Sequence, residues 1–119
     1  PLGLSAQAAP LLAGAERDLS EARAEQARLR RALQEELQRA ATVYAGLQAR
    51  LALAEREHAL ADESARLARR AFELGETDLF KLLTTRDQAL AARRKQEVGR
   101  LEVGRAIARY NQAAGVLPE

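Results

Sequence analysis

From Leu11 to Leu74 the chain runs without a proline, and only Gly14 and Gly46 interrupt strong helix formers. Large apolar residues recur along this run at Leu12, Leu19, Leu29, Leu33, Leu37, Tyr44, Leu47, Leu51, Leu60, Leu67 and Leu74. Their steps are mostly three, four or seven, which predicts one narrow apolar stripe along a helix. Alanines 15, 22, 40, 54, 61 and 68 sit around it, small enough to let neighbouring helices approach closely. A helix of about 64 residues reaches roughly 95 Å. No compact domain of this length houses one, so the chain is expected to be extended and coiled-coil-like.

Composition agrees with an all-α chain. Ala, Leu, Arg, Glu and Lys make up 79 of the 119 residues, and such a bias with helical periodicity marks long helices or coiled coil. β-branched residues are too few for a sheet protein. The absence of cysteine excludes disulfides, zinc fingers, iron–sulfur ligation and thiol chemistry. A single histidine, His58, leaves no transition-metal cluster, and its acidic neighbours Glu55, Glu57 and Asp62 read as a solvated face. Asp62, Glu63 and Ser64 lie with His58 on one helix without a pocket, so no catalytic triad is expected and an enzyme has almost no support. No cofactor is implied. Basic and acidic residues (19 and 17) are interleaved, which argues against a nucleic-acid stripe. No apolar run is long enough to span a bilayer. The missing initiator Met leads us to expect a processed product or an excised piece. Pairs Glu35→Arg39 and Asp62→Arg66, four residues apart, are expected to support the first helix.

Gly75 breaks the pattern. Glycine just past a helix end accommodates the left-handed residue that terminates it, and Thr77 or Asp78 can cap a following helix. Cap signals on both sides predict a tight αα-hairpin rather than one continuous helix with an interior glycine. The expected organisation is an irregular lead-in over 1–9, a long helix over 10–74 starting near Pro10, a turn at 75–77, a second helix over 78–114 and a tail at 115–119. The second stripe reads Leu79, Leu83, Leu90, Val98, Leu101, Ile107 and Tyr110, with Gly115 as the stop and Pro118 reinforcing it. The arms are unequal. Packed antiparallel from Gly75 they part near Gln38, leaving residues 11–37 without a partner in the chain, and self-association is expected to follow.

The stretch Phe72-Glu-Leu74-Gly75-Glu-Thr-Asp78-Leu79-Phe-Lys-Leu82-Leu83 resembles the TolC family of outer-membrane efflux proteins. Members carry aromatic-x-hydrophobic-Gly-x-x-(Ser/Thr/Asp)-hydrophobic-x-x-Leu-Leu at the periplasmic tip of a helical hairpin. Pro1-Leu2 resembles the point where the chain re-enters the helical region after a barrel strand. Arg105 to Gly115 resembles the end of the second repeat. The Ala/Arg-rich character and Leu-Gly-Glu-Thr-Asp tip look most like the heavy-metal efflux branch (CzcC-like). The resemblance implies the helical part of the second repeat of a trimeric channel: a passive conduit for drugs or heavy-metal cations, in the periplasmic part of a Gram-negative outer-membrane protein. Its partners would be a periplasmic adaptor and an inner-membrane pump. The tip residues Phe72, Leu74, Gly75, Glu76, Thr77 and Asp78 would dock on the adaptor. The chain lacks the family's barrel strands and first repeat, so alone it would not span a membrane. Two other readings stay open, the adaptor's own hairpin and a generic coiled-coil interaction module. Adaptor hairpins have arms of similar length flanked by β segments, and neither feature is present here.

Overall fold

The computed structural model describes the backbone of residues 2–116 and the side chains of residues 8–115. Two helices account for almost all of it, α1 (Leu2–Glu73) and α2 (Leu79–Val116), packed against each other as an antiparallel hairpin. The particle measures 109 × 19 × 13 Å, with a radius of gyration of 30.1 Å. A compact chain of this length would have a radius of about 13–14 Å, so among the described residues there is no central core and the packing lies along one line of contact.

The turn is made as the sequence implies. Gly75 is the one described residue with positive φ, at 72°. Its N–H donates to the carbonyl of Phe72 (3.0 Å), and the Glu76 N–H reaches back to Ala71 (2.8 Å). These two bonds are the Schellman closure of a helix, satisfying carbonyls that would otherwise be orphaned. Asp78 then starts α2. Its Oδ1 accepts the Lys81 N–H at 2.8 Å, which is N-cap geometry. Of the two capping candidates, Asp78 takes the role.

The register of the arms follows from one close contact. A Cβ at Gly99 would lie 3.3 Å from Leu51 Cδ1, so these two residues face each other. Burial then alternates at steps of three and four along both helices: Leu37, Ala40, Tyr44, Leu47, Leu51, Ala54, His58, Ala61, Ala65 and Ala68 on α1, and Leu82, Thr85, Ala89, Ala92, Gln96, Gly99, Val103, Ala106, Tyr110 and Ala113 on α2. This is an unbroken heptad seam. From Ala54 to Ala92 it consists mostly of alanine, and Ala54 and Ala106 are the most buried residues, each 3% exposed. Lys95 and Glu57 bridge the arms beside it at 2.9 Å. Tyr44 and Tyr110, half-buried, sit in the seam near its open end.

Several expectations need correction. Residues 2–9 are helical, not an irregular lead-in, and Pro10 lies inside α1. Leucines and alanines dominate that segment, and Pro10 forfeits one backbone bond among those of a 72-residue helix. Gly115 does not stop α2, which continues to Val116; a glycine in a helix costs only about 1 kcal/mol. The tail at 117–119, with Pro118, and Pro1 at the start lie outside the described residues. The large-residue stripe assigned to α2 does not face α1. Leu79, Leu83, Leu90, Val98, Leu101 and Ile107 are all exposed, as are Leu60, Leu67 and Leu74 on α1; of the expected α2 stripe only Tyr110 lies in the seam, which elsewhere on α2 runs through Leu82, Thr85, Ala89, Ala92, Gln96, Gly99, Val103, Ala106 and Ala113. His58 occupies a seam position with Asp62 beside it (3.2 Å), while Glu55 and Asp62 themselves are exposed. Arg66 pairs with Glu63, three residues away, instead of Asp62.

Replacing Gly75 by valine is expected to destabilise the turn by about 2 kcal/mol, since a β-branched residue must adopt a left-handed backbone. Thermal melting together with an inter-arm spin-label distance between Arg66 and Arg86 checks this; unchanged values would remove Gly75 as the determinant of the turn.

Candidate functional site

The seam divides the hairpin surface into edges and faces. On a helix, positions next to the seam form the two flat faces, and positions opposite it form the outer edge. On α1 the outer edge carries Leu53, Leu60, Leu67 and Leu74, spaced seven apart, and Leu60 is 72% exposed. On α2 it carries Phe80, Leu83, Leu90, Val98 and Leu101. The faces are charged. One presents Glu55 and Asp62 of α1 with Arg86, Arg93 and Arg100 of α2; the other presents Arg50 and Glu57 with Lys95 and Glu102. The molecule is therefore a plank with two apolar edges and two polar faces. Exposed apolar rows of this length are candidate contact surfaces.

Open grooves follow the seam. One, bounded by His58, Asp62, Ala65, Arg86, Ala89, Leu90 and Arg93, runs beside the His58–Asp62 pair. Another, bounded by Ala65, Arg66, Arg69, Leu82, Leu83 and Arg86, lies nearer the tip. Both are shallow solvent-open channels between side chains. Among the described residues no group of three or more His, Asp or Glu is placed to hold a metal ion, and no helix is long and apolar enough to cross a membrane. Arg28 and Arg66 hold the Glu25 and Glu63 carboxyls below the usual carboxylate range, through hydrogen bonds between exposed side chains. These pairs persist as pH falls through the ordinary carboxylate range and are lost below it. Their exposure keeps their effect on stability small.

The tip gathers the six residues singled out from the sequence. Phe72 and Leu74 flank the Gly75 turn with their side chains exposed, Leu74 to 61%. Glu76 and Asp78 are exposed and Thr77 half-buried. Asp78 is occupied as a cap, whereas the Glu76 side chain makes no hydrogen bond or ion pair among the described residues. The sequence reading missed Phe80. It is 77% exposed, more than any other large apolar residue described, and stands in the first turn of α2 beside exposed Leu79. The signal was available: counted from the seam position Leu82, Phe80 falls on the outer edge. The tip thus presents Phe72, Leu74, Leu79 and Phe80 around a small acidic turn.

No protein-family model matches this chain, and no curated protein or solved structure matches it either.

The plank geometry separates two kinds of substitution. Ala54→Leu, which overfills the seam, is expected to cost about 1–3 kcal/mol. Leu60→Gln, on the outer edge, is expected to change hairpin stability by less than about 0.5 kcal/mol. Denaturant melts of dilute chain check both, and an edge substitution as costly as the seam one would invalidate the assignment of edges.

Proposed function

We propose that this chain is a stave of a helical barrel: the periplasmic hairpin of a TolC-like outer-membrane efflux channel, acting as a passive wall without chemistry of its own. The observation that carries the reading is the pair of apolar edges on a hairpin whose own seam is already closed. A stave needs a neighbour on each side and a polar surface toward both the lumen and the outside. Two apolar edges separated by two charged faces meet both needs. The resemblance of Phe72 to Leu83 to the family's tip segment supplies the direction: the turn points away from the membrane, toward an adaptor.

On this reading the tip docks through Phe72, Leu74, Leu79 and Phe80, with Gly75 setting the turn. Exposed aromatics are the residues most enriched in interface cores. Glu76 is free to accept hydrogen bonds from adaptor arginine or hydroxyl groups. The exported solute, a drug or a heavy-metal cation, passes over the charged faces rather than being held by a ligand set. The pump and adaptor provide the energy and the gating; the trimeric wall provides a sealed path. Unequal arms and the absence of strands among the described residues favour this over an adaptor hairpin, and the acidic tip favours it over a generic coiled-coil interaction module.

The test belongs in the channel that contains this hairpin. Phe72→Asp combined with Phe80→Asp is expected to lower export at least tenfold, as loss of interface anchors does, while trimers still assemble in the outer membrane. Wild-type export in that variant would remove the docking role. Leu60→Glu combined with Leu67→Glu is expected to prevent trimer assembly, and normal trimers would remove the stave reading itself.

A further inference from the structure

Residues 8–32 of α1 have no part of α2 opposite them among the described residues, and nearly all are exposed. Their apolar pattern nevertheless continues the seam. Ala8, Leu12, Ala15, Leu19, Ala22, Gln26, Leu29 and Leu33 alternate at steps of four and three, the signature of a second heptad seam. The two seams join at Leu33. There the step to Leu37 is four where the alternation calls for three, an insertion of the kind that locally unwinds a coiled coil and rotates its stripe. The face that meets α2 below Leu37 therefore turns aside above it, without interruption, toward another occupant.

The charges bordering this stripe discriminate among arrangements of a second copy. One border carries Asp18 and Glu25; the other carries Glu16, Arg23 and Arg30. In a parallel, in-register pair, each residue of the first border meets the residue five positions further along the opposite border of its partner. Asp18 then faces Arg23 of the second copy and Glu25 faces Arg30, giving four attractive pairs over the two-fold interface. Glu25 already holds Arg28 of its own chain, and a carboxylate has lone pairs for both guanidinium groups. In an antiparallel pair, like borders meet. The best stagger brings Glu16 opposite Arg23 but also Asp18 opposite Glu25, so attraction and repulsion cancel. Parallel pairing further stacks Gln26 on Gln26, and a polar core residue meeting its own copy fixes register.

We infer that residues 8–33 form a parallel, in-register coiled-coil contact with the same segment of a second copy of this chain. Leu12, Leu19, Leu29 and Leu33 fill the contact, and Asp18–Arg23 and Glu25–Arg30 select its direction. The inference goes beyond the efflux reading and does not rest on it, and its test involves no export.

The experiment uses the whole 119-residue chain, whose lack of native cysteine makes any introduced thiol unique. Sedimentation equilibrium is expected to give a mass rising from 13.0 kDa to twice that with concentration. Ala15→Cys under mild oxidation should form a covalent pair. When it is mixed with the Gln26→Cys chain, 15–15 and 26–26 links should form to the exclusion of 15–26. Reversing Arg23 and Arg30 together to glutamate should weaken association roughly tenfold or more. Mixing with the Asp18→Arg, Glu25→Arg chain should restore it, with helicity followed throughout by circular dichroism. A monomer at every concentration, predominance of 15–26 links, or association indifferent to the charge reversal would each overturn the proposal.

Discussion

The close approach of the two arms governs everything else in this molecule. Between Ala54 and Ala92 the seam is mostly alanine, and Gly99 is set against Leu51, so small residues make much of the contact while Leu37, Tyr44, Leu47, Leu51, Val103 and Tyr110 fill it toward the open end. Dispersion and burial there come from many small contacts, each weak and all repeated. Other large residues lie on the outer edges. A hairpin closed by leucine would have spent its apolar surface internally and left polar edges. Closed largely by alanine, it leaves much of that surface exposed.

Capping at the tip is coupled to this economy. The left-handed Gly75 and the Asp78 side chain terminate and restart the helices within five residues, so α2 leaves the turn already in contact with α1. Of the aromatic residues on either side, Phe72 stands one step past the end of the seam and Phe80 on the outer edge, and both are exposed. The end of the rod is therefore apolar around a tightly capped turn. Fold and candidate docking surface meet at this turn.

The sequence made the helices, the Gly75 turn, the unequal arms and the place where they part readable, because glycine and cap residues have specific backbone consequences. The unpaired length was also readable, since it depends only on counting residues from the turn; the last described layer, Leu37 against Ala113, falls one residue from the expected parting at Gln38. The contact face of α2 was not. Weighting by hydrophobicity directs attention to Leu83, Leu90 and Leu101, whereas the seam runs through Leu82, Thr85, Ala89, Ala92 and Gln96. The distinction lies in which face of each helix meets the other, which hydrophobicity alone does not encode. The Glu57–Lys95 pair, whose members flank the seam on opposite arms, carried the register, but only once the arms were known to be antiparallel. The seam position of His58 was not legible for the same reason: it is visible only after the alanines are recognised as core. Pro10 and Gly115 were read as boundaries, yet each lies in a helix long enough to absorb one local defect.

The seam's layers come in series, joined covalently at one end only. Such an object responds to force according to direction. A pull that separates the free end of α2 from α1 loads one layer at a time, so the arms part like a zipper at low force. A pull along the rod axis instead loads every layer in shear together, and the same weak contacts resist as a sum. A hairpin built this way is stiff against axial strain while its open end can be peeled and reseated, and Gly75 is the stitch at which peeling stops.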